Sequence, residues 1–161
     1  MGSVNIRMRP RGFTLLEMLV VLTLASIMLG MVAVNLFPDE QRLLRDEGRR
    51  LAYLLEQAGR DAHAGGRALA WSVSGSEYRF WNMNKQGEWR RVEQDDLLHP
   101  RRLPHGMRAA LVSMDGRPVQ ATEMLALSPE TGAPTFELRL SGQEKSLRLS
   151  GDGLGNVRVE P

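Results

Sequence analysis

No cysteine occurs anywhere in the 161 residues. That absence removes disulfides, thiolate metal ligands and cysteine nucleophiles together, so any folded part must hold by packing alone. Histidine is scarce. His63, His99 and His105 are the only three, no two of them at a helical metal-ligand spacing, and no zinc motif is present. Ser72, Ser74 and Ser76 lack the Gly-x-Ser-x-Gly elbow of a hydrolase nucleophile. Asp95 and Asp96 beside His99 form an acid–base set on paper, but they lie in a proline-flanked polar stretch that reads as a solvated loop. These absences argue against an enzyme, and no cofactor or metal is expected. There is no internal repeat or low-complexity tract, and the length has room for one modest domain plus one membrane segment.

A basic binding surface is also missing, despite the formal net charge of +2. Arg7, Arg9 and Arg11 sit in an N-terminal segment without an acid, and without those three the net charge becomes −1. The basicity therefore belongs to a targeting segment and not to a surface for nucleic acid. The next segment is apolar. From Phe13 to Phe37 a single charged side chain, Glu17, interrupts a run longer than the roughly 20 residues a hydrocarbon core needs. The run predicts a membrane helix with its N-terminus in the cytoplasm, because the arginines precede it while Asp39 and Glu40 come after it. An acid in the first turns of such a helix costs about 2.5–3.5 kcal/mol near the bilayer centre and less near an interface, so it asks for a cation.

The string RGFTLLEMLVVLTLASIMLGM resembles the processing signal of type IV pilins and type II secretion pseudopilins: a basic leader ending in Gly12, then Phe13, then Glu17 and an apolar helix. The resemblance implies that a prepilin peptidase/methyltransferase cuts after Gly12 and N-methylates Phe13. It also implies that Glu17 pairs with the N-terminal amine of a neighbouring subunit. The amine of the same chain, four residues away, is the internal alternative.

Past the apolar run, Leu44, Leu51, Leu55, Ala58 and Ala62 share one helical stripe, and Arg42, Arg45, Asp46, Glu47, Arg49, Arg50, Glu56 and Arg60 read as a solvated face. The helix is expected to continue, with Pro38 and Gly48 interrupting its pattern, and to stop at Gly65-Gly66. The period then changes to two. Leu69, Trp71 and Val73 lead through Gly75-Ser76 into Tyr78, Phe80 and Asn82, a predicted hairpin whose other face carries Trp81 and Met83. A turn at Asn84–Gly87, a loop over 93–106, apolar segments at Met107–Met114 and Met124–Leu127, and three C-terminal strands complete the head. Asp152-Gly153-Leu154-Gly155-Asn156 offers too few oxygens for calcium and reads as a hairpin turn.

The expected fold is thus α+β: a long N-terminal helix, then an antiparallel β head, a two-sheet sandwich of pilin-like type. The expected divisions are a removed leader (1–12), a transmembrane and assembly helix (13–37), its periplasmic continuation (38–66) and the head (67–161). LALSPETGAPTFELRLSG and the closing GDGLGNVRVEP resemble the C-terminal sheet of H-type minor pseudopilins. That resemblance implies a subunit of a short periplasmic pseudopilus driving export of folded proteins. Its partners would be other minor and major pseudopilins, in the bacterial inner membrane. The alternative is a minor pilin that binds DNA or primes pilus assembly. For that reading, Trp71, Trp81 and Trp89 with Tyr78 and Phe80 would stack bases, and Arg79, Arg90, Arg91, Arg101 and Arg102 would meet phosphates. Glu88, Glu93, Asp95 and Asp96 among those arginines, and the strand spacing of the aromatics, weigh against nucleic acid.

Overall fold

The computed structural model describes residues 14–36, 39–104, 106–120 and 122–160, and the side chains of 31–36 lie outside that description. The chain divides into two compact units, Met1–Pro38 and Asp39–Pro161. In the first, α1 (Leu15–Leu36) is apolar all round, as a run of Leu, Val, Met and Ala dictates. Its start is marked by Thr14, whose Oγ1 accepts the Glu17 N–H at 3.2 Å.

The second unit opens with α2 (Glu40–Gly65), a separate helix with its own cap. The Asp39 carboxylate accepts the Gln41 N–H at 3.0 Å, and Pro38, which has no N–H to donate, precedes it in the sequence. Gly66 ends the helix with φ 60°, a left-handed turn that a side chain would disfavour. The stripe read from the sequence is the buried one: Leu44, Leu51, Leu55, Ala58 and Ala62 are all in the core, joined by Ala52 and Leu54. Gly48 lies on the same side. A Cβ there would run into Leu147 and close on Val159, so the missing side chain lets the helix approach the sheet.

Among the described residues ten strands form two antiparallel sheets. The first contains β1 (Leu69–Ser74), β2 (Glu77–Met83), β3 (Trp89–Arg91), β4 (Arg101–Arg102) and β7 (Leu125–Leu127), in the order β3-β2-β1-β7 with β4 also on β2. The second contains β5 (Arg108–Met114), β6 (Arg117–Pro118), β8 (Thr135–Ser141), β9 (Ser146–Asp152) and β10 (Val157–Glu160), in the order β10-β9-β8-β5-β6. The predicted hairpin is present, with Trp71 opposite Phe80 and Val73 opposite Tyr78. The three C-terminal strands pair as expected, and Leu138, Leu140, Leu147 and Leu149 all point into the core. The head is a two-sheet sandwich behind a helix, as predicted.

One stretch departs from expectation. The segment 93–106 is not simply a loop: Arg101 pairs with Tyr78 and Arg102 with Glu77, while Leu98 and Leu103 are 3% exposed. Isolated leucines among polar and proline positions carry too weak a period to be read, yet each fully buried leucine is worth about 1.5–3 kcal/mol.

Candidate functional site

The residues expected to act lie in the N-terminal unit. Gly12 and Phe13 fall outside the described residues, as do Phe37, Pro38 and His105. Glu17 is described, in the first turn of α1. Thr14-Leu15-Leu16-Glu17 is a capping-box sequence whose Thr-to-N–H half is formed, a signal legible in the sequence but missed there. The two described hydroxyls of α1 are self-satisfied. Thr23 and Ser26 donate their hydroxyls at 2.7 Å to the carbonyls of Leu19 and Leu22, one turn back. The described surface is otherwise aliphatic and open, with Leu15 at 85%, Leu22 at 66% and Leu29 at 70% exposure. Glu17 is therefore the one described side chain of α1 whose charge has no partner on its own helix.

Among the described residues no helix is long and apolar enough to cross a membrane. The predicted crossing from Phe13 to Phe37 extends beyond them at both ends.

In the second unit, the charged face of α2 is not uniformly solvated. Three glutamates clip the helix to the sheets. Glu40 accepts the backbone N–H groups of Gln143 and Glu144 in the β8–β9 turn, the latter at 3.1 Å. Glu47 takes a 3.0 Å ion pair from Arg101 of β4, with Glu47 only 14% exposed. Glu56 accepts the Val157 N–H of β10 at 2.9 Å, closing an otherwise bare strand edge. Charge periodicity alone cannot distinguish these acids from solvated ones, because their partners are about 50 to 100 residues away in sequence.

The aromatic and arginine set proposed for nucleic acid is dispersed by the fold. Trp71, Tyr78 and Phe80 are buried in contact with one another, Tyr78 meeting Phe80 edge-on at 6.2 Å. Burial raises the Tyr78 phenol above its usual range, partly offset by Arg101 and Arg50 nearby. Trp81 is half-buried, donates to Ser72 Oγ at 2.8 Å and is covered by Arg91. Arg79, Arg90, Arg91 and Arg101 each pair with an acid: Glu77, Glu88, Glu93 and Glu47. Among the described residues no row of open aromatic faces remains for bases.

The other candidate chemistry resolves into structure. Asp95 accepts the Leu97 and Leu98 N–H groups, both at 2.8 Å, and so caps a turn. His63 and His99 each lie near a backbone carbonyl, of Pro129 and Asp95. No group of three or more metal-holding side chains occurs among the described residues. Asp152 organises the β9–β10 turn, accepting from the Asn156 side chain at 2.7 Å and from the Leu154 N–H at 2.8 Å; those hydrogen bonds hold its carboxyl below the usual value.

Comparison with known proteins respects the same division. The prokaryotic N-terminal methylation motif matches residues 7–33. Type II secretion system protein H of Pseudomonas aeruginosa is 28% identical over 170 residues, covering 93% of this chain and 95% of that protein. The minor pseudopilin EpsH from the type II secretion system of Vibrio cholerae superposes with a TM-score of 0.63 at 13% identity, covering 76% of this chain and 96% of that one. The type IV minor pilin FimU of Pseudomonas aeruginosa superposes with a TM-score of 0.53 at 16% identity, covering 76% and 91%. At those identities the two structures speak for the fold, which is pilin-like.

Proposed function

We propose that this chain is a minor pseudopilin of the H type, assembling with homologous subunits into a short periplasmic pseudopilus of a type II secretion system. The observation that carries the reading is α1: an open aliphatic surface, hydroxyls turned onto their own carbonyls, and one acid without a charged partner among the described residues. Such a helix has to be covered by lipid or by other helices, and Glu17 has to meet a cation there. The work is mechanical. Sibling subunits stack by burying α1, and the sandwich forms the outer surface.

In this reading residues 1–12 are a leader, 13–37 cross the inner membrane and assemble, 38–66 continue on the periplasmic side, and 67–161 are the head. Prepilin peptidase/methyltransferase cleaves after Gly12 and methylates Phe13, creating the amine that a sibling's Glu17 neutralises. Charge counting does not orient the chain by itself, because Arg42, Arg45, Arg49 and Arg50 on the far side outnumber the three leader arginines. The leader motif supports the cytoplasmic N-terminus. DNA binding loses its support with the burial of Trp71, Tyr78 and Phe80.

Processing tests the assignment. Mass spectrometry of the mature chain should find N-methylated Phe13 as the first residue, and Gly12→Val should leave the precursor uncut. A mature N-terminus at any other position rejects the pilin-like reading.

A further inference from the structure

The first three turns of α2 are balanced in sequence, with Asp39, Glu40, Asp46 and Glu47 against Arg42, Arg45, Arg49 and Arg50. The fold unbalances them. Asp39 is spent on the helix cap, Glu40 on the β8–β9 turn and Glu47 on Arg101. Arg42, Arg45 and Arg49 remain exposed on the side away from Leu44, Leu51 and Leu55, one or two turns apart, with Asp46 the only acid left beside them. Tyr53, 51% exposed, continues the same face one turn on.

This face does not suit helix-on-helix packing, which buries an apolar stripe, since Tyr53 is its only large apolar group. Arg42 lies six residues past the end of α1 at Leu36, so the connecting chain spans at most about 22 Å however the helices are set. If α1 is in lipid, the start of this face is thereby tethered within reach of the headgroups, where arginine meets phosphate oxygens and tyrosine prefers the interface.

We infer that the Arg42–Arg45–Arg49 face of α2 docks on the anionic phospholipid surface bordering α1, holding the subunit at the membrane until assembly lifts it away. The inference rests on the membrane reading of α1, and the test separates the two.

The absence of cysteine permits a single label. The full chain carrying Asp46→Cys with an environment-sensitive fluorophore is reconstituted into phosphatidylcholine vesicles with and without phosphatidylglycerol. Resistance to alkaline carbonate extraction reports insertion, and acrylamide quenching reports cover of the face. Quenching at least about twofold weaker with phosphatidylglycerol is expected, reversing at 1 M salt, where the Debye length shrinks to about 3 Å. Arg42→Glu, Arg45→Glu and Arg49→Glu together should insert normally and quench equally in both lipids. Insertion with equal quenching of the parent overturns the docking and leaves the membrane reading intact; failure to insert overturns both. Shielding that arises only when sibling subunits are reconstituted alongside also overturns it, because the face is then a protein contact.

Discussion

The two units use the same residue types in opposite ways. Leucine in α1 stands open, at 85% exposure for Leu15 and 61% for Leu19, while Leu44, Leu51 and Leu138 in the second unit are at 1% or less. The head satisfies itself: α2 lays its stripe on two sheets, and its acids reach strand edges and turns. Within the helix unit, the described apolar surface is open and Glu17 has no charged partner among the described residues. An element incomplete in isolation holds the instructions for contact with something else, whereas a complete one supplies the shape that is presented.

Glu17→Leu strikes hardest at the first side of this comparison. It should leave insertion and processing at least as efficient as in the parent, because a costly charge is gone, and should leave the head's unfolding midpoint unchanged. Co-purification with sibling subunits should fall by about tenfold or more, the equivalent of about 1.4 kcal/mol. Siblings recovered at parental yield would erase the proposed role, and a shifted head midpoint would mean that the substitution acts on the head's own stability.

In the head, the next largest effect is expected at the Glu47–Arg101 pair. Arg101→Met leaves a carboxylate that is only 14% exposed without its cation and should cost about 1–3 kcal/mol in urea unfolding. Adding Glu47→Met should recover most of that loss. If the double variant is no better than the single, the pair is not what ties β4 to α2.

Two glycines of α2 sharpen the point that its inner face is fitted and its outer face free. Gly48→Ala gains about 1 kcal/mol of helix propensity but crowds Leu147 and Val159, for a net loss of about 1–2 kcal/mol. Gly59→Ala meets nothing within 4 Å and should stabilise by up to about 1 kcal/mol. Melting temperatures moving in the same direction for both would mean the helix does not approach the sheet as described.

The smallest effect concerns pH. The Asp152 carboxyl lies below its ordinary value of 3.8 in the folded head, so its contribution is present above that value and is lost as the pH falls through the folded pKa. Asp152→Asn should therefore lower the neutral plateau slightly and flatten the acid limb of thermal stability below about pH 4, the two chains converging in acid. Acid limbs of equal slope would show that the β9–β10 turn does not depend on the ionised carboxylate.

How much of this was legible beforehand differs between the units for a physical reason. Along α1 the information is local: an apolar run and one acid at a fixed distance from a leader glycine are read within a single stretch of chain, and the Thr-x-x-Glu start, though missed, lies in that stretch too. Strand positions in the head were legible too, because Phe136, Leu138 and Leu140, or Leu147 and Leu149, alternate within a single strand. So was the α2 stripe, whose period belongs to one helix.

Sequence by itself thus determined the element types, the buried faces of the long elements and the candidate processing and assembly residues. Only the tertiary structure decided that β7 joins β1 while its neighbours in sequence join the other sheet, that Leu98 and Leu103 are core, and which acids of α2 are structural. It also decided that Trp71, Tyr78 and Phe80 face one another and not solvent, and that the arginines of α2 are left outward as its glutamates turn to the sheets. Each of these depends on which distant segment arrives opposite a residue: a strand's period names the face that is buried but not its neighbour, and a charge has no assigned partner until the chain has closed on itself.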